Sequence, residues 1–271
     1  MANILKIGWF STGRGAGSRG LLRYIVRQIH RQGLPIDIQF VFSNREIGES
    51  PGSDTFITDV NKFDIPLVLF SSKKFTQKSQ SKFSTVRTAY DEITMEKISR
   101  FNVDISVLAG YGLILSPKIT REYTMLNLHP ALPDGPIGKW QDVIWELIDS
   151  NADRTGANQH LATDKLDRGP VLSYFSLPLR GERFDGLWEQ MQGSTSNDIK
   201  RKFGEEFPLF TMIRAEGYKR EPMLLSHTLH HLATKHLQLK NNQIFDKQGD
   251  PTQAIDLTLE VDQDLLNTSD H

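Results

Sequence analysis

The chain has no cysteine among its 271 residues. That excludes disulfides, thiolate metal ligands and a cysteine nucleophile, and it fits a reducing compartment. Neither charge is in excess: 32 Lys and Arg face 33 Asp and Glu, a formal net charge of −1. Nothing in that balance favours nucleic acid or an anionic membrane surface as a partner. Long hydrophobic runs are missing too. The longest apolar stretch, "ISVLAGYGLIL", has about half of the ~20 residues a membrane span needs. The opening "MANILKIGWFSTGRG" breaks its apolar run with charge and glycine, and it lacks the h-region of a secretory signal. The expectation is a cytoplasmic protein with no nucleic-acid and no membrane partner. What remains is an ordinary globular composition, 38% hydrophobic and 24% charged, long enough for one large or two small domains.

Periodicity organises the first half. "ILKIGWF" (Ile4–Phe10) reads as a buried strand, and the small residues of "STGRGAGSRG" follow it. "LLRYIVRQIHRQG" repeats apolar residues at helical spacing and stops at Gly33, before a second strand, "IDIQFVFSN". Strand, Gly-rich loop, helix and strand make a βαβ unit and hence a parallel sheet. "IPLVLF", "VDISVLAGYG" and "YTMLNLH" read as three more strands, the middle one almost wholly apolar as a central parallel strand should be. Residues 44–63 are polar, and the Ser- and Lys-rich 71–84 reads as a mobile loop. "VRTAYDEITMEKISRF" and "DVIWELIDS" are helical, and "ANQHLATDKLDRGPVLSYFSLPL" is two strands around a tight turn. Two helical stretches follow, 183–197 and 199–217, and then an apolar-patterned segment and an acidic tail. The fold class is α/β, with an open, mainly parallel twisted sheet of Rossmann-like type. Residues 1–217 form the expected catalytic domain and 218–271 a small C-terminal extension.

In open parallel sheets, ligands sit beyond the carboxyl ends of the strands. Asn127 and His129 alternate with Leu128 at such an end, so they face the same side, and Pro130 stops the strand. Asp167 sits in a Gly-Pro turn between two apolar strands. An amide donor, a protonatable imidazole and a carboxylate, with no Ser or Cys nucleophile, suit attack by the substrate's own nucleophile. The amide and the imidazolium can hold an oxyanion as a carbonyl becomes tetrahedral. The carboxylate can hold the imidazolium and help remove the proton from an attacking amine. No metal is implied, because the His and Asp residues lack ligand spacing.

"LNLHPALP…GP" followed by "GANQHLATDKLDRGPVL" resembles the folate-dependent formyltransferase family, most of all the branch that formylates glycinamide ribonucleotide in purine synthesis. The likeness covers residues 4–217. It implies the Rossmann-like formyltransferase fold, 10-formyltetrahydrofolate as co-substrate, and Asn127, His129 and Asp167 as catalytic residues, with His160 in support. It gives the Gly-rich loop a substrate phosphate, held by Gly17, Ser18 and Arg19, where Arg19 departs from the family's Asn. Arg87, in "TVRTAYDEI", would be a second phosphate ligand. Ile114 and Leu115 would line the pteridine pocket, and the backbone near Asp167 would read its polar edge. Glu206 is a further carry-over, toward the substrate amine.

The loop "PALPDGPIG" is one residue shorter than the family's, and "KWQDVIW" replaces a segment that often carries another His. Insertions at 44–62 and 71–84 and the tail after 217 have no counterpart in the shortest members. These departures surround the acceptor side. The implied reaction is formyl transfer to a small, phosphorylated primary amine. Its rivals are transfer to another amine such as an amino-sugar nucleotide, and 10-formyltetrahydrofolate hydrolysis. The Gly loop alone would also suit a dinucleotide-binding protein, with Glu46 on the ribose. A homodimer is among the expected assemblies, and the tail reads as a dimer contact, a lid or an unstructured end.

Overall fold

The computed structural model describes residues 4–191 and 193–269. In chain order its elements are β1 (Leu5–Ser11), α1 (Ala16–Gln32), β2 (Ile36–Ser43), α2 (Pro51–Lys62), β3 (Leu67–Leu69), α3 (Ser72–Ser79), α4 (Phe83–Ile98), β4 (Ile105–Leu108) and α5 (Pro117–Glu122). Next come β5 (Met125–His129), α6 (Trp140–Asp149), β6 (Arg154–Leu161), β7 (Val171–Pro178), α7 (Asp185–Glu189), α8 (Ser196–Phe203) and α9 (Pro208–Ala233). The chain closes with β8 (Gln238–Lys240), β9 (Gln243–Phe245), β10 (Ile255–Asp256) and α10 (Thr258–Ser269). The fold class is α/β with an open, mainly parallel sheet. The described residues divide into two compact units: 4–128, 160–170 and 229–252, and 129–159, 171–191, 193–228 and 253–269.

The first unit is the βαβ half. Its strands run β3-β2-β1-β4-β5, all parallel. β1 and β2 are buried over most of their length, as strands covered on both faces must be. α1 buries Leu21, Leu22, Ile25 and Val26 and ends on left-handed Gly33, whose N–H donates to the Gln28 carbonyl. Phe10, Phe40, Phe42, Tyr90 and Leu108 head one core cluster, with Phe70 and Phe75 packed against it.

One expectation changes here, and a stretch with no assigned element gains one. Residues 51–62 are helix α2, with Pro51 in its first turn and Phe56, Ile57 and Val60 buried. Residues 72–79 are helix α3 rather than a mobile loop. The Ser71 side chain caps it by accepting from the Lys74 N–H, and Phe75 packs edge-on against Phe70 and Tyr90. A cap and one aromatic anchor hold a segment that has no apolar stripe.

The second unit packs α6, α8 and α9 through Val143, Ile144, Trp145, Leu147, Ile148, Ile199, Leu209, Phe210 and Ile213. β7 pairs in parallel with the short β10. The helices expected at 183–197 and 199–217 are instead the short α7 and α8 and the long α9. The boundary expected at 217/218 falls inside α9, because buried apolar residues continue past it at Met223, Leu224 and Leu225. The tail after it forms β8, β9, β10 and α10.

Candidate active site

The Gly-rich loop is tied to the loop after β4. Thr12 N–H donates to the Gly110 carbonyl at 3.1 Å, and Gly112 N–H donates to Thr12 Oγ1 at 2.8 Å. Gly110 has φ +69°, and a Cβ there would stand 2.7 Å from Ser18 Cβ, so glycine lets this loop lie against the start of α1. Gly17 and Arg19 are half-buried and Ser18 is buried in the first turn of α1, which carries no acidic residue. Ser18 Oγ donates back to the Gly15 carbonyl at 3.1 Å, and Arg19 Nη1 to the Arg14 carbonyl at 3.3 Å. The Arg19 guanidinium therefore turns toward its own loop.

Of "RTAYD" on α4, two members are structural. Tyr90 is fully buried, stacks on Phe70 at 4.6 Å and donates its hydroxyl to the Phe70 carbonyl. Asp91 is buried and accepts from Ser116 N–H at 2.6 Å, at the start of α5. Burial pushes the Asp91 carboxyl above its usual range, against the pull of the Ser116 hydrogen bonds and of Arg87. Arg87 itself is half-buried, and its Nε has no hydrogen-bond partner among the described residues. Glu46 accepts from Lys74 Nζ at 2.7 Å and from Ser71 N–H at 3.2 Å, contacts that anchor α3 rather than leave a carboxylate for a ribose.

Three residues of the first unit converge beside β5. Asn127 Nδ2 lies 3.4 Å from Asp167 Oδ1 and 3.4 Å from His160 Nε2. His160 Nε2 is 3.8 Å from the same Asp167 oxygen, with both side chains over nine-tenths buried. The strand that brings His160 here is pinned by Ala162 N–H donating to the Met125 carbonyl at 2.7 Å. Asp167 takes a left-handed conformation, φ +51°, which Asp tolerates better than most residues. Its turn closes where Leu161 N–H donates to the Pro170 carbonyl at 2.9 Å. Gly169 is required there, because a Cβ would fall 1.8 Å from the Leu161 carbonyl oxygen.

His129 belongs to the second unit, at the end of β5, and is buried. Its Nε2 is 2.7 Å from the Pro136 carbonyl oxygen. Two groups here were not singled out from the sequence. They are the Pro136 carbonyl and the buried Asn158, whose Nδ2 donates to the Ala131 carbonyl at 2.9 Å. Asn158 alternates with His160 on β6, a signal available in "NQH".

Ile114 is 53% exposed after β4, and Leu115 packs against the first unit's core. Glu206 is exposed in a 3-10 turn before α9. Among the described residues no group of three or more His, Cys, Asp or Glu is placed to hold a metal.

The formyl transferase family profile matches residues 15–180. The chain is 31% identical over 111 residues to phosphoribosylglycinamide formyltransferase of Escherichia coli (strain K12), a match over 39% of this chain and half the length of that enzyme. It is 27% identical over 115 residues to formyltetrahydrofolate deformylase of Haemophilus influenzae, covering 42% of this chain and 37% of that protein. Among solved structures, phosphoribosylglycinamide formyltransferase from Coxiella burnetii superposes with a TM-score of 0.67 over 93% of this chain and 99% of that one, at 21% identity. At that identity the superposition speaks for the fold.

Proposed function

We propose a reaction for this chain, which belongs to the formyl transferase family: transfer of the formyl group of 10-formyltetrahydrofolate to a primary amine, with glycinamide ribonucleotide the favoured acceptor. The observation that carries it is the convergence of the Asn127 amide, the His160 imidazole and the Asp167 carboxylate beside β5. The donor set suits a formyl group. Both polar contacts of Asn127 Nδ2 are 3.4 Å, long for an amide donor, so a stronger acceptor can draw it away.

When bound, the folate supplies a one-carbon acyl group on a nitrogen that can leave. Asn127 donates to the formyl oxygen as the amine nitrogen bonds to the formyl carbon and charge develops on that oxygen. His129, two residues along the same strand, is the second donor in this reading. Asp167 accepts the proton the amine sheds, directly or through water. The oxygen's charge then returns, the bond from carbon to the folate nitrogen breaks, and a proton delivered to that nitrogen completes tetrahydrofolate. His160 keeps Asp167 and Asn127 in register. Arg87, whose Nε has no partner among the described residues, offers a forked donor to the acceptor's phosphate, and the backbone N–H groups at Gly17 and Ser18 offer further donors. Ile114 and Leu115 give the pteridine an apolar wall.

The test is tetrahydrofolate release from 10-formyltetrahydrofolate, with and without glycinamide ribonucleotide. Asn127→Ala and Asp167→Asn should each lower turnover by about 10²–10³-fold, the usual effect of removing one oxyanion donor or its equivalent. Release that needs no acceptor supports hydrolysis instead, the activity named for the deformylase relative. Release only with an amino-sugar nucleotide moves the acceptor and leaves the site as described.

A further inference from the structure

A carbonyl oxygen accepts hydrogen bonds and never donates them. The Pro136 oxygen, 2.7 Å from His129 Nε2, therefore requires a hydrogen on that nitrogen. An imidazole held this way keeps its Nε2 proton in both the neutral and the charged form. The proton it gains or loses is then the one on Nδ1.

The acceptor is itself held. The loop from Pro130 to Gly138 carries three prolines, at 130, 133 and 136, which restrict its backbone. Ala131 N–H donates to the His129 carbonyl at 3.0 Å, and Gly135 N–H to the Leu132 carbonyl at 2.8 Å. Ala131 is wholly buried in the core of the second unit. Its carbonyl takes the Asn158 Nδ2 hydrogen bond at 2.9 Å, from a side chain in a residue 3% exposed. Asn158, Ala131, Pro136 and His129 all lie within the second unit. A buried amide thus fixes the start of the loop whose later carbonyl fixes the imidazole.

We infer that Asn158 is a positioning residue for the transfer reaction: by anchoring the 131–136 loop it locks His129 in the Nε2–H tautomer and makes Nδ1 the nitrogen that changes protonation. This rests on the reading of His129 as catalytic. A purely structural Asn158 would support folding without governing the tautomer. Without the lock, a neutral ring can carry its hydrogen on either nitrogen, and the nitrogen that changes protonation is no longer fixed.

The experiment is nitrogen-15 NMR of the histidine side chains in the full chain across pH 5–9. His129 is assigned by its absence from His129→Gln, because the chain holds eight histidines. In the wild type the Nε2 resonance should stay that of a protonated nitrogen throughout, while Nδ1 moves with pH. Asn158→Asp keeps the shape but loses the donor; it should give a mixed-tautomer signature and lower kcat by about 10–100-fold with little change in KM. Asn158→Thr keeps a hydroxyl donor and should recover much of both. A wild-type Nε2 that loses its proton at high pH overturns the proposal. So does an Asn158→Asp protein with the wild-type tautomer signature and pH–rate profile. If Asn158→Asp fails to fold, Asn158→Ala and Asn158→Thr carry the comparison, and equal tautomer signatures in those two overturn the role. The NMR result does not depend on turnover: the expected tautomer in a wild type that transfers no formyl group overturns the formyl-transfer reading, and with it the positioning role, and leaves only the tautomer of His129 established.

Discussion

Glu216→Gln should cost the second unit about 3 kcal/mol at neutral pH. Glu216, on α9, is 1% exposed. Its Oε1 accepts from Arg183 Nη2 at 2.8 Å and Lys219 Nζ at 2.9 Å, and its Oε2 from Arg183 Nη1 at 3.1 Å and Arg220 Nη1 at 2.9 Å. Burial alone would raise this carboxyl. The hydrogen bonds from Lys219, Arg220 and Arg183 outweigh burial and bring it from the ordinary 4.5 to about 2. At 1.36 kcal/mol per pH unit, that difference is worth about 3 kcal/mol. The pKa is depressed on folding, so the stabilisation is complete above pH 4.5 and is lost as pH falls toward 2. Gln keeps the shape but leaves Arg220, 9% exposed, with only Asp262 to balance it. Breaking a buried pair on one side costs about 3–5 kcal/mol, the same range. Urea unfolding followed by tryptophan fluorescence reads it, because Trp140, Trp145 and Trp188 all lie in the second unit. With a slope of about 2–3 kcal/mol per molar urea, the midpoint should fall by about 1–1.5 M. The gap between wild type and variant should close as pH drops from 4.5 toward 2. A change below about 1 kcal/mol at pH 7, or a gap independent of pH, would refute the reasoning.

Other outcomes follow from the same contacts. Arg87→Ala should raise KM for a phosphorylated acceptor by about tenfold or more and leave kcat nearly unchanged, as steady-state kinetics would show, since a hydrogen bond to a charged group is worth about 1.5–3 kcal/mol. Gly169→Ala must push a Cβ against the Leu161 carbonyl 1.8 Å away, shift the turn that carries Asp167, and cut turnover by about 10²-fold, with circular dichroism confirming that the chain still folds. Ser71→Ala removes the cap of α3 and should cost about 1 kcal/mol, read as faster amide exchange confined to residues 72–79.

Long periodic segments were legible in the sequence. β1, α1, β2 and β4 announce themselves by apolar spacing, and the β6–β7 turn by Asp167, Gly169 and Pro170. The site was legible where residue types alternate on a strand, as Asn127 and His129 do. α3 was hidden because the Ser71 cap and an aromatic anchor hold it rather than a stripe, whereas the short stripe of α2, Phe56, Ile57 and Val60, is set among polar residues behind Pro51. Residue 217 lies inside α9, which buries apolar residues on both sides of that point. The Glu216 network joins residues 183, 216, 219, 220 and 262; Lys219 and Arg220 stand at helical spacing from Glu216, but nothing local in the sequence marks Arg183 or Asp262 as partners. The Pro136 carbonyl escaped for a simpler reason, since a backbone acceptor leaves no trace in residue identity.

The central claim is that the formyl carbon passes to an amine. Carbon-13 NMR of a single turnover, with the formyl carbon of 10-formyltetrahydrofolate labelled and glycinamide ribonucleotide in excess, tests it directly. The account predicts that the label appears as the formamide of the ribonucleotide, and that Asp167→Asn abolishes the transfer on the same timescale. Label recovered as free formate, at a rate indifferent to the ribonucleotide, would contradict it.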